Sequence, residues 1–223
     1  MNGSTRRLYG RWVAANAISE MVGLGGTFML TGLAFGIFEK LPGAAAILAS
    51  FLSAVLSGGV EATLVGLAQW WAMRPWFPAV TRLAWWRGTF IGALAAYVLG
   101  NLPFTLIDLG SQSAQTTTSE PPQAVVLLLA ALLGIVAGAV LSFAQGLALR
   151  GKAQRAGLWI PANMLAWAVG MPIIFGAIDL AFKLPAAWQA VLLMAAVLLL
   201  TGAVVGAIHG LFLIQMVPEK NRP

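Results

Sequence analysis

The sequence predicts an all-α membrane protein: six transmembrane helices built as three repeated helical hairpins with pseudo-threefold symmetry, both termini cytoplasmic. Three observations predict it. The 223 residues are 60% hydrophobic and only 9% charged, with a mean hydropathy of +0.86, whereas about a quarter of a soluble domain is charged. Apolar runs of about twenty residues recur along the whole length, each able to cross a hydrocarbon core of ~30 Å. Those runs also share internal patterns that pair them off. No polar stretch is large enough for a soluble domain, so residues 1–223 read as a single transmembrane domain.

Turn signals and charges place the spans at roughly 12–38, 43–72, 84–108, 122–149, 157–182 and 186–215. The first run is too long for a signal-peptide core and reads as a retained helix anchored by Arg6 and Arg7. The connections are "EKLPG" at 39–43, "RPWFPAVTR" at 74–82, "GSQSAQTTTSEPPQ" at 110–123, "RGKAQRAG" at 150–157 and "KLPAA" at 183–187. Arg6, Arg7, Arg11, Arg74, Arg82, Arg87, Arg150, Lys152, Arg155, Lys220 and Arg222 fall on one side; Lys40 and Lys183 fall on the other. Basic residues prefer the cytoplasmic side, so the expectation is a multi-pass inner-membrane protein with both ends inside. Most tryptophans, Trp12, Trp85 and Trp159 among them, fall near that inner interface, where an amphipathic ring is at ease.

The formal net charge of +6 and a pI near 10.6 do not point to nucleic acid. The basic residues flank apolar runs and form no extended basic face, so the partner they imply is the lipid bilayer. With no cysteine, disulfides, thiolate metal sites and cysteine nucleophiles are excluded.

The repeat organises the rest. Gln69 has Gly66 three before it, Ala62 seven before and Arg74 five after; Gln145 has Ser142, Gly138 and Arg150 at those offsets. His209 has Gly206 and Gly202, with Ile214 replacing the arginine. In the odd spans, Trp12 leads to Ala15, Asn16, Ser19 and Gly23; Trp159 leads to Ala162, Asn163, Ala166 and Gly170 at the same spacing. Trp85 leads to Gly88, Thr89, Gly92 and Ala96, with threonine in the asparagine slot. The hairpins run over about 12–74, 84–150 and 157–216.

Small residues every fourth position form a groove through which helix backbones approach closely. Asn16, Gln69, Thr89, Gln145 and Asn163 then form a polar packing layer near the inner interface; the alternative is a ring of polar groups lining a cytoplasmic vestibule. Recurrence in each hairpin favours packing.

Chemistry is expected where the repeat is broken. Glu20 lies eight after Trp12, where the other units have Ala93 and Trp167; Glu61 lies eight before Gln69, where they have Ala137 and Thr201. Both fall roughly 13 and 20 Å inside the inner boundary at ~1.5 Å per residue. An intramembrane carboxyl is costly and marks a functional site by default. Arg87 is a candidate ion-pair partner for Glu20, or snorkels to the interface. His209 is either a substitute for glutamine in the packing layer or a ligand to a bound tetrapyrrole or metal; no other cofactor is implied. A single histidine excludes a bis-His haem or multi-His metal site. No nucleophile–base set, HExxH, GxSxG or phosphate-binding glycine loop appears, so no catalytic residue is assigned and an enzyme is not expected.

The strings "AQGLALR…GLWIPANMLAW" (144–167) and "AQWWAMR…LAWWRG" (68–88) resemble repeats of uncharacterised bacterial polytopic membrane proteins, a resemblance that implies the packing architecture and no activity. The resulting expectation is a small inner-membrane protein that binds or transports a small solute or cation at its intramembrane carboxylates. The alternative is a non-catalytic accessory subunit whose glycine-rich faces dock other membrane subunits, lipids or pigments, or a second copy of the chain.

Overall fold

The computed structural model describes residues 1, 3–111 and 121–219. Lys220, Arg222 and most of the 110–123 connection lie outside the described residues. The described chain is helical, and six helices are long and apolar enough to span a membrane: α1 (Gly3–Phe38), α2 (Ala44–Met73), α3 (Arg82–Ser111), α4 (Gln123–Leu149), α5 (Trp159–Phe182) and α6 (Ala187–Leu213). Short 3-10 turns precede α5 (Ala156–Leu158) and follow α6 (Ile214–Met216).

The expected spans lie within a few residues of these helices, except that α1 starts nine residues earlier than position 12 and contains Arg6, Arg7 and Arg11. At 36 residues it is about 54 Å long, far beyond a ~30 Å hydrocarbon core. Its basic first turns therefore project past the apolar layer. Arg11 settles there by donating to the Trp71 carbonyl at 3.0 Å, its guanidinium 4.4 Å from the Trp71 ring centre. Where α1 turns into α2, the chain reverses at Gly43 with φ +49°, a backbone conformation open to glycine at little cost.

Each helix packs against its neighbours in sequence, and α6 closes on α1. The result is a ring of six helices whose two ends differ. At one end, Leu8, Trp12, Met73, Phe77, Leu149 and Met216 belong to one buried cluster, which brings both ends of the chain together. The loop 74–81 folds into it: Phe77 and Val80 are buried, and Trp76 donates to Ser4 Oγ at 2.8 Å. This "tryptophan end" is a thick apolar plug.

Glycines set how close the walls come. A Cβ on Gly202 of α6 would lie 2.6 Å from the Asn16 carbonyl oxygen of α1, and one on Gly138 of α4 would lie 2.7 Å from that of Asn163 in α5. Only glycine fits either contact.

Candidate functional site

Glu20 of α1 and Glu61 of α2 meet inside the ring. Small residues make the meeting possible: a Cβ on Gly23 would stand 3.0 Å from Glu61 Cα, and one on Gly202 would stand 2.8 Å from Glu20 Cβ. Gly23 lies one turn from Glu20 on α1, so the two carboxyl side chains are neighbours across the α1–α2 contact. Tyr97 of α3 donates its phenolic hydroxyl to Glu61 Oε2. Its ring fits because residue 58 is glycine; a Cβ there would be 2.5 Å from the ring. Glu20 and Glu61 are both buried, and Glu20 Oε2 has no partner within the protein.

A second small cluster braces this corner. Thr27 donates to the Ser57 carbonyl at 3.0 Å, and the Thr31 and Ser57 hydroxyls lie 2.9 Å apart. These bonds tie α1 to α2 about one to three turns beyond the carboxyl pair. No basic side chain among the described residues joins it. Arg87, the expected partner of Glu20, is exposed on the outer face of α3 near its start. Among the described residues the ion pair is Lys183–Asp179 at 2.7 Å, near the end of α5.

Beyond Glu61 opens a cavity of about 280 Å³. Glu61, Ala93, Ala137 and Leu141 line its inner part, and Asn101, Phe104 and Ile178 its part toward the opposite end. Phe28, Trp167, Met171 and Phe175 add apolar and aromatic wall. Tyr97 stands between wall and carboxyl. Helices α1 to α5 supply this lining, while α6 packs Leu198 behind Leu24 and Ile174. The arrangement is an apolar chamber with a single acidic wall and an amide farther along.

Closer to the tryptophan end lies the polar layer, and it is built as packing. Trp12, Trp85 and Trp159 stand edge to face in a triangle with ring centres 5.7–6.4 Å apart. They are fully buried, which corrects their expected place at the lipid interface: each ring fills the axis where three helices would otherwise leave a hole. Asn16, Thr89 and Asn163 each donate to the carbonyl of the tryptophan four residues earlier, at 2.8, 3.0 and 2.9 Å. Gln69 donates to Asn16 Oδ1 at 2.8 Å, and Gln145 donates to Thr89 Oγ1 at 2.9 Å while accepting from Trp159 Nε1 at 2.8 Å.

His209 occupies the corresponding place on α6 and does not close that pattern. Both its ring nitrogens lack partners within the protein, as do Trp12 Nε1, Trp85 Nε1 and Asn163 Oδ1. Leaving a buried polar group unpaired costs about 1–3 kcal/mol. The glycines beside His209 do not make space for a flat macrocycle: Asn16 and Val13 fill the face at Gly206, and Tyr9 and Trp12 the face at Gly210. The imidazole instead stacks tilted on Trp159, ring centres 5.2 Å apart. Among the described residues no group of three His, Asp or Glu side chains is placed to hold a metal ion.

The structure thus brings Glu20 and Glu61 together and leaves Arg87 and His209 outside their site. Sequence reasoning missed Tyr97, although a signal existed. Tyr97 lies twelve after Trp85, where the other units have Leu24 and Met171; it is a third polar departure from the repeat. No protein-family model, curated protein or solved structure matches the chain.

Proposed function

We propose that this protein is a membrane carrier or receptor for a small, largely apolar solute whose polar end is held by Glu61 and Tyr97. The observation that carries the reading is the placement of one buried carboxyl, Glu61, and the Tyr97 phenol on the wall of a largely apolar cavity, with Glu20 buried behind Glu61. Binding pockets have that composition: apolar walls, with a few convergent polar groups that fix orientation. A volume of about 280 Å³ lies just below the roughly 300–1,000 Å³ typical of ligand pockets, which favours a small molecule over a lipid. The apolar plug at the tryptophan end and the cavity's extension toward the other end fit a solute that enters from the latter.

We read the architecture as three hairpins, α1–α2, α3–α4 and α5–α6, related by pseudo-threefold symmetry. The tryptophan triangle and the three matching side-chain bonds to tryptophan carbonyls support this. So do Phe28, Asn101 and Phe175, each sixteen after its tryptophan and each on the cavity wall. The excess of basic residues at the tryptophan end supports a cytoplasmic placement of that end in a bacterial inner membrane.

The test is a thermal-shift panel of small apolar amines, alcohols and amides on the purified protein. Wild type should be stabilised by one class, by about 2.7 kcal/mol at a hundred times its Kd. Glu61→Gln and Tyr97→Phe should remain folded and lose most of the shift. Equal shifts in all three proteins would remove Glu61 and Tyr97 from the site.

A further inference from the structure

The carboxyl pair has a charge problem that also selects its ligand. Glu61 is faced by Glu20 from α1 and by Tyr97 from α3; Glu20 is faced from α6 by Gly202 and its neighbours. Those groups are acids or neutral. Arg87, the basic residue nearest on α3, is exposed on the outside of the ring. In a low-dielectric interior, two adjacent carboxylates without a cation repel each other and lose their hydration together. The empty pair is therefore held neutral by protons.

We propose that the ligand is a small organic cation, an ammonium on an apolar body, that binds by exchange for one proton of the Glu20–Glu61 pair. The proposal rests on the binding reading above and names its substrate class. The step balances: the ammonium enters with one positive charge, one carboxyl O–H releases its proton to solvent, and the remaining proton stays on the other carboxyl group. The site is neutral before and after, so the exchange leaves no net charge buried.

The walls favour the same class. Phe28, Tyr97, Phe104, Trp167 and Phe175 line the cavity, and aromatic faces attract organic cations, most strongly where water is excluded. A bare metal ion would lose its water to apolar walls and meet no third ligating carboxylate or imidazole among the described residues. A neutral solute would use the phenol and Asn101 and give no reason to maintain two carboxyl groups at this depth.

Isothermal titration of the purified protein with phenethylammonium, in two buffers of different ionisation enthalpy, counts the protons released. The neutral isostere 2-phenylethanol serves as control. The expected result is one proton released per cation bound, an affinity rising about tenfold per pH unit while the pair is fully protonated, and binding of the alcohol at least tenfold weaker. Glu61→Gln should abolish binding of the cation. Cation binding without proton release, or undiminished in Glu61→Gln, overturns the exchange. Equal binding of alcohol and cation overturns the cation class while leaving the cavity as the solute site, and no binding of either overturns the proposal as well.

Discussion

Glu61 and Gln69 lie two turns apart on one helix and do different work. Gln69 is one bond in a packing layer, matched by Gln145; Glu61 has no such match and faces the cavity. Tyr97 holds it in place, so Tyr97→Phe should leave a buried carboxyl oxygen without its donor and cost about 1–3 kcal/mol, measured by denaturant titration in detergent. His209 offers the opposite case. Gln69 and Gln145 each reach a partner on the preceding helix, whereas the shorter imidazole leaves Asn163 Oδ1 and Trp12 Nε1 unpaired. His209→Gln should regain those bonds and stabilise the fold by about 1 kcal/mol, a typical worth of such a bond in membranes being ~0.6 kcal/mol. A loss of stability in that variant would contradict the equivalence of the three positions. At this scale the sequence marks Glu20 and Glu61 as exceptions to a pattern, because patterns along one chain expose what departs from them. It does not say that the two meet, since spacing within a helix fixes a face and not the neighbour across from it.

Helix faces carry the next level. The ladder Gly134, Gly138, Ser142 and Gly146 reads as one small-residue stripe in sequence, yet its members differ in place. Gly138 sits against the Asn163 carbonyl, while a Cβ on Gly146 meets nothing within 4 Å. Gly138→Val and Gly202→Val should therefore each cost about 1–3 kcal/mol through backbone displacement. Gly146→Ala should be neutral or stabilise by up to about 1 kcal/mol, from helix propensity alone. Equal effects at Gly138 and Gly146 would show that the stripe and not the contact matters. The stripes were legible because close helix packing demands small residues whatever the partner. The length of α1 was not, because its first nine residues are polar and interfacial and break the apolar run that defines a span.

At the scale of the molecule, the ring is sealed at one end by tryptophans and open through an acid-walled cavity toward the other. Positive residues crowd the sealed end, which should face the cytoplasm. The chain has no cysteine, so Thr81→Cys and Pro185→Cys, both at exposed positions, each introduce a unique label site. An impermeant maleimide applied to intact cells should modify Pro185→Cys and spare Thr81→Cys; the reverse would invert the topology. Six spans and the bias of charge were legible from composition and order. The cavity was not, because it depends on which side chains fail to fill the axis. The central claim, that this cavity holds a solute against Glu61, is tested most directly by filling it. Ala137 lines the α4 wall, and Ala137→Phe would occupy the chamber without changing the carboxyl pair. Native mass spectrometry of protein released from its own membrane should show a small-molecule adduct on wild type that Ala137→Phe loses while remaining folded. An adduct retained equally by both proteins, or absent from wild type, would contradict the account.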